Sequence, residues 1–575
     1  MKNRYLPFLF LALFAATDLQ AQDDKLTKQV EVTRAYVPHV GQAAKLSIQP
    51  RMVDTVTLRP EIEYSIRPSA WKTGFDVPAF RPASVNATPY LRNNPFYVKA
   101  GIGYPLQSLL DFYASTNPNG KGQAGFYLNH KGSYSELRDD LGEKRNATEM
   151  QNAIGVFGTR TWRNRLHLHG EAQYENLLYH RYGAFSMDST ATEGFLPDSE
   201  KERRINYNRV SGALTFGNDF TDLSLFNFRI GLNGGFTGDT NEDREGRFGF
   251  AAEIGKMYRE RHGFTVKAAY NGTFGGGALD TASSHQFVAG PRYLLSTQRI
   301  RMILGADIAY TENHAWNQSR VSLLPALDFR IRIGRSNAFV PFARINGEIV
   351  NGGFDALIRE NPYLAPGTTA PTGITYHFRG GIAGSVKSVF AYRIEAGYSR
   401  LNRHHLFASL YRLNDADETG QAGILVDDGS LFTVGADLDF SIRGKFFATL
   451  TGRYTHYTFN HVPQGGGLPT GEMGLRLRYS YRDLFSISAG ALLIGTRYFP
   501  EVANPLSPAM CSSDIEIETN RVSAVVDVTL DAEVKLCRRL WLFVEGGNLA
   551  GCKLYPYNHY RGLGTNVLVG VKAFF

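Results

Sequence analysis

Apolar and polar residues alternate over runs of about ten positions in the second half of the chain. In residues 526–536 every even-numbered residue is apolar and every odd-numbered residue is polar or charged, and residues 432–442, 446–455 and 473–481 repeat the pattern. A period of two is that of a β-strand with two different faces. Charged side chains on the second face would be very costly in a dry core without partners. The alternation therefore predicts strands with lipid on one face and water on the other, as in a transmembrane β-barrel.

Short connections alternate with long ones, which predicts the topology of this barrel. The longer polar loops include 183–204, 351–372, 414–429, 460–471 and 500–520. Short periplasmic turns alternating with long outer loops are typical of outer-membrane barrels, and ten such turns with both barrel ends in the periplasm predict about 22 antiparallel strands. The first two or three strands have the weakest alternation, which leaves 20 and 24 strands as alternatives. The ten short turns are predicted at 117–121, 163–164, 218–222, 259–263, 298–299, 334–336, 387–388, 443–445, 482–483 and 538–539.

Composition excludes several other classes of protein. Beyond the first residues there is no apolar run long enough for a transmembrane helix. The 62 basic and 54 acidic residues are spread along the chain, whereas a nucleic-acid-binding protein needs a clustered basic patch, so nucleic acid is excluded as a partner. No GxSxG, HExxH or P-loop motif occurs, and no GxGxxG stands between a strand and a helix. We therefore predict neither an enzyme nor a cofactor.

The first 94 residues divide into two segments that precede the barrel. Residues 1–21 combine Lys2 and Arg4, an apolar core and a small residue at Ala21, which is the order of a cleavable signal peptide. Residues 22–94 contain seven prolines, about one every ten residues, which prevent long helices and central strands. We interpret them as a mostly extended periplasmic segment that is either a partial plug or a docking arm. The barrel is assigned to residues 95–575.

Three stretches resemble the barrel of TonB-dependent outer-membrane receptors. Glu360–Leu364 (ENPYL) is similar to the Asn-Pro-x-Leu segment that begins later barrel strands in that family, and Leu431–Phe440 (LFTVGADLDF) is similar to one of its strands. Glu545–Phe575 resembles its closing hairpin, with an Asn-Leu pair, aromatics, an Arg-Gly pair and a terminal aromatic. Barrels of 22 strands are also the size found in that family. The chain departs from the family because no plug domain is recognisable in residues 22–94, although Val30–Arg34 (VEVTR) resembles the short segment that engages TonB.

The resemblance implies a transport barrel in the outer membrane of a Gram-negative cell, which binds or passes polar solutes through a charged lumen. Its partners would be outer-membrane lipid, the barrel-assembly machinery that recognises the last strand ending in Phe575, and TonB or another envelope protein at residues 22–94. The alternative is a scaffold of an envelope assembly complex that transports nothing and uses residues 22–94 as its docking arm. Barrels of this size are normally plugged, so residues 22–94, infolded loops or a partner must close the lumen.

Eight charged residues are predicted to face the lumen, where an acidic strip lies opposite an arginine strip. Such a transverse field would orient polar solutes; alternatively, the charges pair with one another or hold the N-terminal segment. The eight residues are Asp437, Asp439, Arg453, Arg476, Arg478, Asp527, Asp531 and Glu533.

The remaining candidate residues are tyrosines, cysteines and histidines. Tyr555, Tyr557 and Tyr560 are candidates for recognition in an outer loop. Of the three cysteines, Cys511 and Cys552 fall on the outer side, so they are the pair expected if a disulfide forms; free thiols are the alternative. His167 and His169 have a spacing that could bind a metal. A polar lumen produces such a row by default, so no metal site is predicted.

Overall fold

The structure, a computed structural model, describes residues 95–116, 122–140, 142–162, 166–183, 203–218, 226–258, 261–334, 336–411, 421–503, 505 and 507–575. The expected signal peptide (1–21) and the proline-rich segment (22–94) lie outside these residues. Among the described residues, no helix is both long enough and apolar enough to cross a membrane.

The described part of the chain consists mainly of β-strands joined by turns and loops. One short α-helix, α1 (Phe354–Glu360), and three 3-10 helices (Gly277–Leu279, Pro463–Gly465 and Ser512–Asp514) lie within the connections. The strands are β1 (Phe96–Tyr104), β2 (Gln107–Ser115), β3 (Gly122–Ser133), β4 (Glu136–Arg138), β5 (Lys144–Asn146), β6 (Glu149–Thr161), β7 (Leu166–His180), β8 (Arg204–Asn218), β9 (Asn227–Gly238), β10 (Arg244–Tyr258), β11 (His262–Gly276), β12 (Ser283–Ser296), β13 (Ile300–Asn313), β14 (Gln318–Ile331), β15 (Val340–Val350), β16 (Gly373–Val386), β17 (Phe390–Tyr411), β18 (Gln421–Ile442), β19 (Phe446–Phe459), β20 (Gly471–Tyr481), β21 (Phe485–Ile494), β22 (Arg497–Ala503), β23 (Ala509–Cys511), β24 (Glu518–Val522), β25 (Val525–Lys535), β26 (Leu540–Gly547) and β27 (Asn566–Phe574).

All of these strands except β4, β5, β22, β23 and β24 form one closed antiparallel barrel of 22 strands. Each barrel strand pairs with the next one along the chain. The last strand, β27, pairs with β1 from Tyr97↔Phe574 to Tyr104↔Val567 and so closes the ring. The predicted all-β class and the count of 22 strands are confirmed.

The described strand ends that flank the ten short connections lie together at one end of the barrel, which we call the periplasmic end. The β18–β19 turn shows how the sequence forms them. Arg443 and Gly444 at its centre have φ values of 49° and 64°. Two consecutive left-handed residues define a type I′ turn, which matches the right-handed twist of the paired strands. The described parts of the long loops lie at the opposite, outer end.

An apolar belt covers the outside of the barrel because successive side chains of a strand point to opposite faces. On β14, Val321 is 68 % exposed and Leu323 is 62 % exposed, whereas Ser322 and Leu324 between and after them are buried. Ile308 on the neighbouring β13 is also 62 % exposed. Large apolar side chains in this arrangement require lipid around them. The belt and the barrel fold indicate the predicted outer-membrane location.

A buried aromatic ring seals the seam where the barrel closes. Phe543 on β26 is 1 % exposed. It lies over Gly101 of β1 and Gly570 of β27, where a Cβ atom would come within 3.1 Å and 2.6 Å of its ring. The ammonium groups of Lys99 and Lys572 lie 4.6 Å and 5.3 Å from the ring centroid. The seam therefore has no room for a side chain at Gly570, whereas at Gly101 the neighbouring atoms would have to move by a few tenths of an ångström.

Several elements extend beyond the barrel at its outer end. Strands β4 and β5 form a small hairpin between β3 and β6. The strands β17 and β18 are 22 residues long, and their outer parts carry the added strands β22 and β23 in parallel pairing. The family likeness of the segment 361–364 led us to expect the start of a strand there, but no barrel strand begins at this segment. It follows α1, and β16 begins only at Gly373.

Candidate functional site

Outer loops fold together over the mouth of the barrel, and we call this structure the cap. It comprises the β15–β16 loop (351–372), the outer parts of β17 and β18 (404–411 and 421–427), the described residues between 497 and 522, and the β26–β27 loop (548–565). The β15–β16 loop, which contains α1, contacts widely separated parts of the ring. It binds β8–β10, pairs with β18 at Leu364↔Ala422, and packs on the β26–β27 loop. It therefore crosses the mouth.

The core of the cap is a cluster of aromatic and aliphatic side chains. The rings of Tyr363 and Tyr560 stack with their centroids 3.6 Å apart and an interplanar angle of 16°. Tyr182, which follows β7, packs edge-on against Tyr560 at 5.0 Å. The Tyr207 hydroxyl donates a hydrogen bond of 2.7 Å to the carbonyl oxygen of Pro362. This cluster joins the end of β7 and the start of β8 to loops from the other side of the barrel.

A buried carboxylate attaches the β15–β16 loop to the barrel wall. Asp355, on α1, is 2 % exposed. Arg209 of β8 donates to it from Nε at 2.5 Å and from Nη2 at 3.1 Å, and Thr237 of β9 donates from Oγ1 at 2.6 Å. Arg247 of β10 completes the anchor with an ion pair. Three neighbouring strands thus present donors to one loop carboxylate. The residues next to these donors along each strand point outward and belong to the apolar belt.

The start of α1 is held by a second carboxylate. Its N-cap residue, Gly353, supplies no side-chain cap. Glu245 of β10 replaces it, because Glu245 Oε2 accepts from the backbone N–H of Phe354 at 2.6 Å. Farther along the loop, the N–H of Gly367 donates to Asp243 Oδ2 at 2.7 Å. The loop is therefore docked on β8–β10 through these polar contacts and through buried apolar side chains of α1, such as Phe354 and Leu357.

A histidine between two carboxylates holds the β26–β27 loop in the cap. The ring nitrogens of His559 lie 2.8 Å from Asp140 Oδ2 and 2.7 Å from Glu501 Oε1. A doubly protonated ring can donate to both acceptors. Burial by itself would lower the pKa of His559, but the two hydrogen bonds and the two negative charges outweigh burial and raise the pKa above 6.5.

This histidine predicts that the cap loosens as the pH rises. A raised pKa in the docked cap means that the ion pairs contribute fully below the ordinary histidine pKa and are lost as the pH rises through the raised value. We expect hydrogen exchange of residues 548–565, corrected for intrinsic rates, to accelerate as the pH rises above the ordinary histidine pKa of about 6.5. His559→Gln should remove this dependence. An unchanged pH profile in the variant would assign the effect to other groups.

The eight predicted lumen residues share the inner face of the wall. Asp437 and Asp439 alternate with Phe432, Val434 and Phe440, which are at least 41 % exposed to the outside. The same alternation along β19, β20 and β25 places the other six inward. Within the described part of the chain, none of the eight forms an ion pair with another of them. The arginines lie on β19 and β20, between the acidic residues of β18 and those of β25, so the two kinds of charge occupy one side of the barrel and do not face each other across the lumen as expected.

Individual contacts of these residues are mostly local. Asp439 accepts from Thr449 at 2.7 Å, and Arg478 donates to Ser486 at 3.2 Å. Glu533 forms an ion pair with Lys572, next to the closing seam.

The histidines and cysteines form no metal centre or disulfide in the described residues. No group of three or more His, Cys, Asp and Glu side chains there is arranged to hold a metal. His167 and His169 bind Thr161 and Thr159 on the adjacent strand, each at 2.9 Å. All three cysteines are free thiols, so the Cys511–Cys552 disulfide is not formed. Cys511 is held in β23 beside β18, whereas Cys552 belongs to a turn fixed by Asn548.

The tyrosines of the β26–β27 loop differ in their exposure. Tyr560 is 4 % exposed and stacks inside the cap, so its position is structural and it is closed to an outside ligand. Tyr557 is half-buried against Tyr363, and the half-buried Tyr555 donates to Asp140 at 2.9 Å. Recognition at the outer surface therefore remains a prediction for Tyr555 and Tyr557.

Sequence reasoning did not identify the anchor of the cap. Arg209 and Arg247 alternate with apolar residues, so their inward orientation was readable from the period-two pattern. The apolar residues at 354, 357 and 358 have the spacing of one helical turn and indicate a packed element in the loop. No local signal shows that Asp355 meets an arginine 146 positions earlier.

Comparison with known proteins supports the fold. No protein-family model matches the sequence, and no curated protein matches it significantly. The FrpB iron transporter from Neisseria meningitidis has a similar structure, with 10 % identity, a TM-score of 0.63, and coverage of 84 % of this chain and 82 % of that one. The pyoverdine outer-membrane receptor FpvA from Pseudomonas aeruginosa PAO1 also has a similar structure, with 10 % identity, a TM-score of 0.59, and coverage of 84 % of this chain and 78 % of that one.

The siderophore receptor PirA from Acinetobacter baumannii is also similar, at 10 % identity and a TM-score of 0.58 over 84 % of this chain and 80 % of that one. At these identities the similarity shows a shared fold. It confirms the resemblance stated for the barrel. The chain has the 22-stranded barrel fold of TonB-dependent outer-membrane receptors.

Proposed function

We propose that the protein is an outer-membrane transport barrel that admits polar solutes through its charged lumen, with the cap as the gate at the outer mouth. The observation that carries this proposal is the docking of the β15–β16 loop on inward-facing Arg209 and Arg247 through Asp355. The loop crosses the mouth and is attached to the same wall that a solute would pass. The similar structures named above belong to transporters and receptors, which supports the same class of function.

The chemistry of the anchor suits a gate. Desolvation offsets much of the attraction within a buried ion pair, so such pairs fix geometry more than they stabilise it. Arg209 also pairs with Glu175 on β7, which gives it a partner when the loop leaves. The Arg209 guanidinium on the lumen wall thus has a carboxylate partner both when the cap is docked and when it is released. A gate of this kind changes state by exchanging polar contacts and separating the aromatic cluster of the cap, and it leaves the barrel intact.

Energy coupling through residues 22–94 is part of this proposal. The likeness of Val30–Arg34 to a TonB-engaging segment supports it. We expect a polypeptide of residues 22–94 to bind the periplasmic domain of TonB, and to lose binding when residues 30–34 are replaced by Gly and Ser. Capture of a different envelope protein, with no binding to TonB, would favour the scaffold alternative.

Solute flux tests the transport function itself. The purified full chain and a variant with residues 353–370 replaced by a short Gly-Ser linker are reconstituted in liposomes, and swelling is followed with arabinose and with raffinose. We expect slow swelling with the full chain and fast swelling with the variant, faster for the smaller sugar. If the variant admits neither sugar although it is folded, the lumen is no solute path and the scaffold function is favoured.

A further inference from the structure

We propose that the lumen wall holds a binding site for an anionic solute, one with carboxylate or phosphate groups beside an apolar part. This inference rests on the proposed transport function and names the class of solute. The site is a partly open cavity lined by side chains of strands β14–β17. Its lining includes Arg330, Arg344, Arg379, Arg393, Phe342 and Glu395.

The cavity lies near the periplasmic end, below the cap. Arg330 is one residue from the end of β14, and Arg393 is three residues from the start of β17. Both strand ends adjoin short periplasmic turns. A solute that has passed the cap would therefore meet this cavity before it leaves the lumen.

Positive charge is concentrated here beyond what the neighbouring acids neutralise. Arg330 forms a two-pronged pair with Asp328, at 2.9 Å and 2.8 Å, and Arg344 reaches the same carboxylate at 3.3 Å. Arg379 and Arg393 form no ion pair with any described residue. Four guanidinium groups thus lie near three carboxylates, those of Asp328, Glu395 and Asp437, the cross-strand partner of Arg393.

The strand register places like charges next to one another. Arg344 and Arg379 are direct cross-strand partners on β15 and β16. Like charges in that position are unfavourable. An anion between them would remove the repulsion. The arrangement is thus costly in the empty wall and favourable with an oxyanion bound.

One guanidinium atom lacks a partner. Arg393 Nε is buried and has no hydrogen-bond acceptor in the described structure. Its cross-strand partner on β18 is Asp437, yet the two side chains form no ion pair there. A buried charged donor without an acceptor is costly, so a ligand oxygen at this atom would stabilise the site.

The shape of the cavity selects more than charge. Phe342 lies between the arginines, and its cross-strand partner on β16 is Gly381. The partner of Arg393 on β16 is the small Ala383. A solute in the cavity would contact the Phe342 ring through its apolar part while its anionic groups reach the guanidinium forks, which suit the geometry of carboxylate and phosphate.

The proline-rich segment of the same chain does not have the charge of this ligand. Residues 22–94 contain ten basic and seven acidic residues. A segment with net positive charge does not complement an arginine-rich cavity. A diffusible anion is therefore the better occupant.

Calorimetric titration of the purified full chain with citrate, with inorganic phosphate and with uncharged glucose tests the site. We expect citrate to bind, phosphate to bind more weakly, and glucose not to bind. Arg379→Gln and Arg393→Gln should each weaken citrate binding about tenfold or more, because each removes a charge-assisted hydrogen bond. Arg379→Lys keeps the charge without the fork and should recover part of the affinity.

Arg443→Gln is the matched control, since Arg443 lies in the β18–β19 turn, at the same end of the barrel but outside the cavity. It should leave citrate binding unchanged. If neither anion binds, or if Arg443→Gln weakens binding as much as the cavity variants, the inference is overturned. Binding needs no flux, so citrate binding without sugar flux would count against the transport function alone, and flux without binding against the site alone.

Discussion

Asp355→Ala is expected to release the β15–β16 loop and open the outer mouth of the barrel. The substitution leaves Arg209 and Arg247 without their shared buried carboxylate. Removing one member of a buried ion pair typically costs about 3–5 kcal/mol. That change would shift the balance between docked and released cap by about a hundredfold or more. We expect a matching rise in open probability in planar bilayers and rapid proteolysis within residues 351–372.

The control for this prediction is Asp514→Ala, which changes an exposed residue in the outer region. Among the described residues, the Asp514 side chain bonds only its neighbour Ser513. It should leave the cap docked, because an exposed polar contact contributes little. Asp355→Asn keeps the shape and one acceptor oxygen, so its effect should be intermediate. If the Asp355→Ala variant has the same open probability and the same protease resistance as the unaltered protein, Asp355 is not the group that anchors the loop.

Gly570→Val is expected to prevent closure of the barrel. A Cβ atom at Gly570 would lie 2.1 Å from the carbonyl oxygen of Ala100 and 2.6 Å from the Phe543 ring. A backbone carbonyl in the β1–β27 ladder cannot move without breaking the pairing that closes the ring. We expect a loss of about 3 kcal/mol or more, at the upper end of overpacking effects, and little folded barrel.

The folded fraction can be measured by the difference in gel mobility between heated and unheated samples. Gly231→Val is the matched control, because Gly231 lies in a barrel strand with no atom within 4 Å of its Cβ position. This variant should fold normally, since valine suits a strand. Normal folding of Gly570→Val would show that the seam tolerates a side chain.

The barrel was predictable from the sequence because its determinants are local. The alternation of residues 526–536 and the turn at Arg443–Gly444 each specify structure within a few residues, and the strand count follows from repeating such signals. The inward position of Arg476 and Arg478 follows from the same period.

The cap was not predictable because its contacts join distant parts of the chain. Tyr363 stacks on Tyr560, and Asp355 binds Arg209, although nothing near either residue marks its partner. The family likeness of residues 360–364 suggested the start of a strand, whereas burial of Tyr363 and Leu364 in the aromatic cluster keeps this segment in the cap. Packing against distant residues thus determines the conformation of this segment, which the local sequence pattern does not specify.

Single-channel conductance tests the gating proposal most directly. Four proteins are compared in planar bilayers: the full chain, the chain without residues 22–94, the chain with residues 353–370 replaced by a Gly-Ser linker, and the chain with both changes. We predict that both forms with the cap loop stay closed and that both forms without it give a large, steady pore. If deletion of residues 22–94 alone opens the pore while the loop replacement stays closed, the N-terminal segment closes the lumen and the cap is not the gate.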